Sequence, residues 1–239
     1  MAFNELKCYL DLRIIVSLSK KADTRINNGL PVAREGMPFI FAGIIGTLFF
    51  IYMGLLVVAT LLGIVTIFII SFFRDPEREK NVQDNTVLAP ADGKILDIQY
   101  LAEGDNPLDE PAVKVSIFMS IFNVHVNRVP AHGSISKILY SSGKFFSANL
   151  DKASEHNENN RITVRTNNGR NIVFIQIAGI IARRIACWLK ESDTVIAGQR
   201  CGLIRFGSRV EIYLPSDSRI IVQPRSKVKA GETILGYLS

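Results

Sequence analysis

The feature that most constrains this chain is a run of 37 residues, 37–73, that contains no Asp, Glu, Lys or Arg. One membrane span needs only about 20 apolar residues. A straight helix through the whole run would be about 55 Å long, whereas the hydrocarbon core of a bilayer is about 30 Å thick. Two short helices with a reversal near residues 52–54 therefore fit better. The sequence predicts an N-terminal α-helical membrane hairpin, and leaves open whether it crosses twice or enters only one leaflet.

Basic residues flank this run on both sides: Arg25, Arg34, Arg74, Arg78 and Lys80. By the positive-inside rule, both ends of the hairpin are expected in the cytoplasm. Residues 1–36 lack the cleavage site of a secretory signal, so we interpret them as a cytoplasmic lead-in. Residues 74–85 are polar and charged, which is typical of a linker at the membrane surface.

The composition narrows the class of partner. The chain has 239 residues and a formal net charge of +6 at pH 7, which favours an anionic partner, either a nucleic acid or a phospholipid surface. The apolar run makes the membrane the better prediction, and we expect no nucleic-acid binding. Cys8, Cys187 and Cys201 form an odd, widely spaced set without a metal-ligand pattern, so we interpret them as reduced cysteines and expect no metal site.

From residue 86 to residue 239 the pattern changes to short alternating apolar runs separated by Gly and Pro, which is typical of β-strands. Two turn sequences occur twice: Pro-Ala-Asp-Gly-Lys-Ile at 90–95 returns as Pro-Ala-His-Gly-Ser-Ile at 130–135, and Val-Ile-Ala-Gly-Gln at 195–199 returns as Val-Lys-Ala-Gly-Glu at 228–232. Such turns occur in the sandwich or hammerhead domains that carry biotin and lipoate. We therefore predict a mainly β, sandwich-like domain with internal pseudo-symmetry.

Gly207 and Ser208 stand between two strand-like runs. On spacing alone this pair is most simply a tight turn or bulge, with Gly207 supplying an unusual backbone angle. However, residues 205–215 (Arg-Phe-Gly-Ser-Arg-Val-Glu-Ile-Tyr-Leu-Pro) resemble the self-cleavage site of the short-form bacterial phosphatidylserine decarboxylases. Residues 89–93 and 120–130 resemble the same family, as do residues 176–185, and the resemblance runs from about residue 72 to near the C-terminus.

The resemblance implies that the chain breaks between Gly207 and Ser208 without hydrolysis. The Ser208 hydroxyl would attack the Gly207 carbonyl to give an ester, and β-elimination would leave a large β chain (residues 1–207) and a small α chain (residues 208–239). The dehydroalanine left at position 208 would then hydrolyse, releasing ammonia, to an N-terminal pyruvoyl group. The pyruvoyl carbonyl condenses with the substrate amine and accepts electrons as carbon dioxide leaves, so neither pyridoxal phosphate nor a metal is implied.

Two further residues are candidates for the chemistry. Asp92 lies in an Asp-Gly turn, and the resemblance implies that it belongs to an Asp-His-Ser relay for self-cleavage. His125 lies in an apolar run, and its ordinary titration near neutrality suits proton delivery to the carbanion. Longer members of the family have a second histidine three positions later, where this chain has Arg128. Either His125 takes both roles, or another group such as His132 serves as the base.

Substrate binding needs a cation for the phosphodiester. Arg183 and Arg184 follow an apolar run and are candidates for that contact, although a solvated pair is an equally good interpretation. Lys144 lies beside two phenylalanines and is a weaker candidate. His156 lies in a polar stretch and is interpreted as solvated.

These features together predict a membrane-anchored, pyruvoyl-dependent enzyme that converts phosphatidylserine to phosphatidylethanolamine at the cytoplasmic face of a bacterial inner membrane. Its two chains would remain together as an α/β heterodimer. The alternative is a non-enzymatic membrane-tethered carrier or adaptor with a lipoyl-like sandwich, in which Gly207 and Ser208 form an ordinary turn. A carrier of that kind needs a lysine in a characteristic hairpin motif, which the sequence lacks.

Overall fold

The structure is a computed structural model and describes residues 30–78, 82–143, 157–179, 185–205 and 208–239. Within those ranges, a short 3-10 helix at Arg34–Gly36 precedes α1 (Met37–Tyr52) and α2 (Leu56–Phe72). The strands that follow are β1 Thr86–Leu88, β2 Gly93–Leu101, β3 Ala112–Met119, β4 Val126–Arg128, β5 Gly133–Ser141, β6 Asn159–Thr166, β7 Asn171–Ala178, β8 Ile185–Cys187, β9 Thr194–Val195, β10 Arg200–Ile204, β11 Ser208–Pro215, β12 Arg219–Ile220, β13 Lys227–Val228 and β14 Ile234–Tyr237.

The two helices form the predicted hairpin. The chain reverses at Gly54, whose φ of 72° is readily adopted only by glycine. The helices pack closely because Gly43 of α1 faces Thr66 of α2, and a side chain at Gly43 would collide with the Thr66 hydroxyl. Val32 forms an isolated antiparallel bridge with Arg74, so both ends of the hairpin lie at the same end of the helix pair. We call this end the hairpin foot.

The outer surface of the hairpin is apolar and exposed along its length, from Phe39 and Phe41 to Ile67 and Ile70. Exposed apolar surface of this extent marks a membrane or partner contact. The helix Arg34–Tyr52 is long and apolar enough to cross a membrane, while Leu56–Phe72 is apolar but shorter. The apolar hairpin therefore indicates membrane association.

The rest of the described chain is mainly β, as the sequence predicts. Its largest sheet has eight strands in the order β13-β2-β3-β11-β7-β6-β5-β9, and two three-stranded sheets have the orders β1-β14-β12 and β4-β10-β8. The core-facing residues of β11 are Val210, Ile212 and Leu214, which are buried in the main apolar cluster. The arrangement is consistent with a sandwich-like fold, with β11 at its centre.

The predicted pseudo-symmetry is present in the strand pairing. β2 pairs with β3 with a register shift after Ile95, and β5 pairs with β6 with the equivalent shift after Ile135. β13 pairs with the start of β2 in the same way that β9 pairs with the start of β5. Gly198 and Gly231, from the second repeated turn, have φ values of 83° and 70°. The two halves of the large sheet therefore share one local architecture.

The first residues after α2, 74–78, pack against the β domain. Asp75 is buried, and both its carboxylate oxygens accept hydrogen bonds from Nε of Arg200, at 2.9 and 2.7 Å. Arg128 lies 3.8 Å from the same carboxylate, and Glu77 accepts a hydrogen bond from Arg200 at 2.7 Å. Residues 74–78 are thus attached to the β domain by buried ion pairs. The limits proposed above for the linker and the domains remain a prediction.

This attachment leads to a stability prediction. Asp75→Ala leaves the buried guanidinium groups of Arg200 and Arg128 without their shared carboxylate, so we expect a loss of about 3 kcal/mol or more in the free energy of unfolding. The exposed Arg170–Asp217 pair, at 2.7 Å, is the matched control, and Asp217→Ala should cost at most about 1 kcal/mol. Denaturant unfolding in detergent measures both, and equal losses would contradict a structural role for the Asp75 cluster.

Candidate active site

Ser208 begins β11 and is completely buried. It pairs with Met119 of β3 on one side and with Ala178 of β7 on the other. Because side chains alternate along a strand, Ser208 shares the core-facing side of β11 with Val210. The serine that the sequence singles out is therefore fixed at the start of a central strand and shielded from water.

The Ser208 hydroxyl donates to the thioether sulfur of Met119 at 3.3 Å. The same sulfur accepts a contact from Nδ2 of Asn127 at 3.6 Å, and Oδ1 of Asn127 accepts from Gln176 at 2.8 Å. Oε1 of Gln176 in turn accepts from Asn160 at 3.0 Å. A buried row of amides thus ends at Ser208. Since a thioether is a weak acceptor, the serine hydroxyl is held only loosely.

His125 and Ser208 lie on two segments that are joined at both ends. At one end Ser208 pairs with Met119, six residues before His125. At the other end the N–H of Ile204, four residues before Ser208, donates to the His125 carbonyl at 3.4 Å. The fold therefore brings these two candidates, far apart in sequence, into one closed loop. Gly207 belongs to that loop in sequence but lies outside the described residues.

The His125 ring has a defined tautomer. Its Nδ1 lies 2.9 Å from the carbonyl oxygen of Asn123, which can only accept, so Nδ1 carries the proton. Asn123 is itself held by Ser120, whose N–H and hydroxyl donate to its side-chain oxygen at 2.9 and 2.8 Å. Nε2 of His125 is buried and has no hydrogen-bond partner within the described part of the chain. Nε2 of the neutral ring is consequently a buried lone pair that no described group occupies.

Burial lowers the pKa of His125 from its ordinary value to about 4. The hydrogen bond to Asn123 opposes this shift, the positive charge of Arg74 adds to it, and Asp92 opposes it weakly. Phe72, the last residue of α2, contributes to the burial because its ring centre lies 4.0 Å from that of the imidazole. The sequence-based expectation of titration near neutrality is therefore wrong for this state, in which the ring is neutral at pH 7.

Asp92 lies in the turn before β2 and is directed at a different partner from the one expected. Its carboxylate forms a two-point ion pair with Arg78, with Nη2 to Oδ2 at 3.0 Å, and accepts the N–H of Ala230 at 2.8 Å. Neither nitrogen of His125 is hydrogen-bonded to Asp92. The predicted Asp-His-Ser relay is thus not formed as a direct chain of hydrogen bonds, and Asp92 influences His125 through space.

Arg128 occupies the position at which longer family members have their second histidine. Here its side chain binds backbone carbonyl groups. It is buried and donates to the carbonyl oxygens of Gly198 at 2.8 Å, Pro76 at 2.8 Å and Arg78 at 3.1 Å. His132 lies on the turn before β5, where Nδ1 accepts the N–H of Ala197 at 3.3 Å. The described hydrogen bonds of both side chains are with backbone groups, Arg128 also lies near the Asp75 carboxylate, and none of these contacts involves Ser208.

The predicted substrate-binding residues Lys144, Arg183 and Arg184 lie outside the described residues, as does His156. Their assignment stays a prediction. Other site residues escaped the sequence analysis altogether, namely Phe72, Arg78, Met119, Asn127 and Gln176. The available signal was the presence of Asn127 and Gln176, two polar residues inside otherwise apolar strand sequences. Both proved to be fully buried.

The contact between Phe72 and His125 yields a prediction. Phe72→Leu removes the ring that covers the imidazole, so water should reach it and its pKa should rise from about 4 toward the ordinary value of about 6.5. Histidine resonances followed by NMR across the pH range report this change directly. Phe73→Leu is the control, since Phe73 is equally buried but its ring contacts are with Phe72 at 5.0 Å and Phe39 at 6.1 Å rather than with the imidazole. The same rise in both variants would show that general loosening, rather than Phe72, is responsible.

Known proteins resemble this chain over most of its length. A family model described as phosphatidylserine decarboxylase matches residues 65–236. The phosphatidylserine decarboxylase proenzyme of Syntrophus aciditrophicus (strain SB) is 51% identical over 208 residues, covering 86% of this chain and 96% of that protein. The proenzyme of Desulfotalea psychrophila is 47% identical, covering 87% and 97%. That of Geobacter metallireducens is 42% identical, covering 89% and 99%.

The match includes the last part of α2, residues 74–78, His125 just before β4, and the strand that begins at Ser208. It therefore covers the candidate site, and it agrees with the resemblance carried by residues 205–215. The first two relatives are matched over 96% and 97% of their own length. The chain belongs to the phosphatidylserine decarboxylase family, whose members are carboxy-lyases.

Proposed function

We propose that this protein decarboxylates phosphatidylserine to phosphatidylethanolamine with a pyruvoyl group made from Ser208 by self-cleavage after Gly207. The observation that carries the proposal is that two segments joined at both ends carry a buried Ser208 hydroxyl bonded only to a weak acceptor and a His125 Nε2 without a hydrogen-bond partner among the described residues. Family membership supports the same reaction. The rival hypothesis of a non-enzymatic carrier has no comparable support.

In self-cleavage, His125 would act as the base. A neutral imidazole with its proton fixed on Nδ1 offers Nε2 as an acceptor, and its pKa of about 4 keeps that nitrogen unprotonated at pH 7. The Ser208 hydroxyl has to leave Met119 and transfer its proton as its oxygen attacks the preceding carbonyl. Arg128 cannot take that proton because it is already a cation. One histidine therefore replaces the pair found in longer family members.

In turnover, the same nitrogen would hold the proton needed by the substrate carbon. The pyruvoyl group supplies the electron-accepting carbonyl that binds the substrate amine. The surroundings of Ser208 fit such a group, because the residue is completely buried and would be protected from water. His125 is then the group placed to deliver a proton, and a bound anionic head group would raise its pKa from the low value of the free site.

The apolar hairpin would keep this site at the membrane, where its lipid substrate is found. The flanking arginines favour the cytoplasmic side of a bacterial inner membrane. The large and small chains made by cleavage would remain associated as an α/β heterodimer. Asp92, held by Arg78, would contribute its negative charge near His125 rather than a direct hydrogen bond.

Ser208 provides the first test of the proposal. Ser208→Ala lacks the attacking hydroxyl, so we expect a single full-length inactive chain, whereas Ser216→Ala, which changes an exposed serine of the same segment, should yield two chains and normal activity. Intact mass measures the cleavage. In the unaltered protein, cyanoborohydride with phosphatidylserine should attach lipid covalently to the small chain, and phosphatidylcholine, which has no primary amine, should not. A cleaved or active Ser208→Ala protein would disprove the pyruvoyl assignment.

His125 provides the second test. Loss of the base in His125→Ala should slow cleavage at Gly207 and Ser208 roughly 100-fold or more, in line with the contribution of a positioned acid-base group. His132→Ala removes a histidine that bonds only to backbone groups in the described structure, so its cleavage rate should stay normal. Time courses of chain separation on denaturing gels give both rates. Normal cleavage of His125→Ala with slow cleavage of His132→Ala would transfer the base role to His132.

A further inference from the structure

The hairpin foot carries a guanidinium group that forms no ion pair with the carboxylates of the described residues. Arg74 donates from Nη1 to the carbonyl of Ser71 at 2.6 Å and from Nη2 to the carbonyl of Phe122 at 2.7 Å. Nη1 also donates to the Ser71 hydroxyl oxygen at 3.4 Å. By contrast Arg78, four residues later, is paired with Asp92. Three of the five N–H groups of Arg74 thus have partners, and two donors and the positive charge remain available.

The surroundings of Arg74 are those of a membrane boundary. Phe122, whose carbonyl it binds, is 71% exposed and packs edge-on against Phe68 of α2, with ring centres 6.4 Å apart. A second guanidinium, that of Arg205, lies 5.8 Å from the ring centre of Phe39 at the start of α1. Apolar surface therefore adjoins positive charge at the hairpin foot. In a bilayer, this is the level at which the phosphates of lipid head groups lie.

Arg74 is also coupled to the reacting groups. Its charge is close enough to contribute to the low pKa of His125. The Phe122 carbonyl that it holds lies three residues before His125 and three residues after Met119, the partner of Ser208. A group bound at Arg74 thus lies beside the loop that contains the proposed chemistry, on the side that faces the apolar hairpin.

We propose that Arg74 binds the phosphodiester of the phospholipid substrate. This inference rests on the proposed function and adds to it a contact that fixes the head group. Guanidinium groups bind phosphate through paired, charge-assisted hydrogen bonds, and the donors left on Arg74 suit that contact. In the serine head group two carbons separate the phosphate oxygen from the amine. With its phosphate on Arg74, the substrate directs its amine and carboxylate toward His125 and Ser208, and its acyl chains run along the hairpin.

The experiment separates this role from two others, a general attraction of Arg74 to lipid surfaces and support of the Phe122 loop. Full-length protein in detergent is assayed with short-chain, water-soluble phosphatidylserine, which removes any effect of membrane binding. Two soluble ligands are compared as inhibitors and, independently of turnover, by calorimetric binding. Glycerophosphoserine carries the phosphodiester, whereas O-methylserine has the same amine and carboxylate without it.

Arg74→Gln should weaken binding of glycerophosphoserine about 10- to 100-fold, as expected for the loss of charge-assisted hydrogen bonds, and should leave O-methylserine within about 2-fold. The value of kcat/KM for the soluble lipid should fall by a similar factor, mainly through KM. Arg74→Lys should retain part of the affinity for glycerophosphoserine, because lysine keeps the positive charge but lacks the paired N–H donors of the guanidinium group. Arg219→Gln, which removes an exposed positive charge from β12, should change neither ligand.

Equal weakening of both ligands would show that Arg74 acts by holding the Phe122 loop, and unchanged binding of both would leave it with no contact to substrate. Either result overturns the inference. If Arg74→Gln reduces activity only on vesicles of anionic lipid and not with the soluble substrate, Arg74 is a membrane contact instead, which also overturns it. An unaltered protein that binds glycerophosphoserine through Arg74 but does not decarboxylate would disprove the proposed function and not this site.

Discussion

Burial of the Asp75 carboxylate against Arg200 and Arg128 determines how the hairpin meets the β domain. A charge taken out of water is costly unless it is paired, so the three groups can be buried only together. Their pairing fixes the residues on either side. Phe72 is brought over His125, and Arg78 is brought to Asp92. A few residues leaving the apolar hairpin thus contact both candidate acid-base groups, and the hairpin is a structural part of the candidate site.

The surroundings of His125 favour one protonation state. Its Nδ1 proton is fixed by Asn123, and Phe72 keeps water away from the ring. A neutral ring suits the removal of a proton from Ser208, while the decarboxylation step needs a proton to be returned. In the proposed scheme the two demands are compatible, because the substrate would bring negative charge into the site and self-cleavage would precede substrate binding. Burial makes the free histidine a base, and an anionic ligand would make it an acid.

The sequence predicts the hairpin, its reversal, the mainly β class and the pseudo-symmetric turns because each depends on a local pattern. A run without charge, a glycine at a reversal and alternating apolar residues each predict the local structure in which they occur. The partners of buried polar groups depend on tertiary pairing and could not be predicted in this way. Asp92 sits in an ordinary Asp-Gly turn, and nothing local indicates that Arg78 will bind it. The low pKa of His125 likewise arises from burial, to which Phe72 contributes from 53 positions away, and the apolar neighbours of Phe72 indicate only a membrane helix.

The central position of β11 bears on whether folding precedes the proposed chain break. β11 is hydrogen-bonded along both edges, to β3 and to β7, and β13 and β14 are bonded to β2 and β1. A chain that begins at Ser208 would therefore supply a strand in the middle of the completed sheet. A separate fragment would have to enter that position from solution, whereas the intact precursor supplies the strand at a high effective concentration. If the chain breaks before Ser208 as proposed, folding would have to precede the break, and a protein unfolded after the break would lack the covalent link between its two chains.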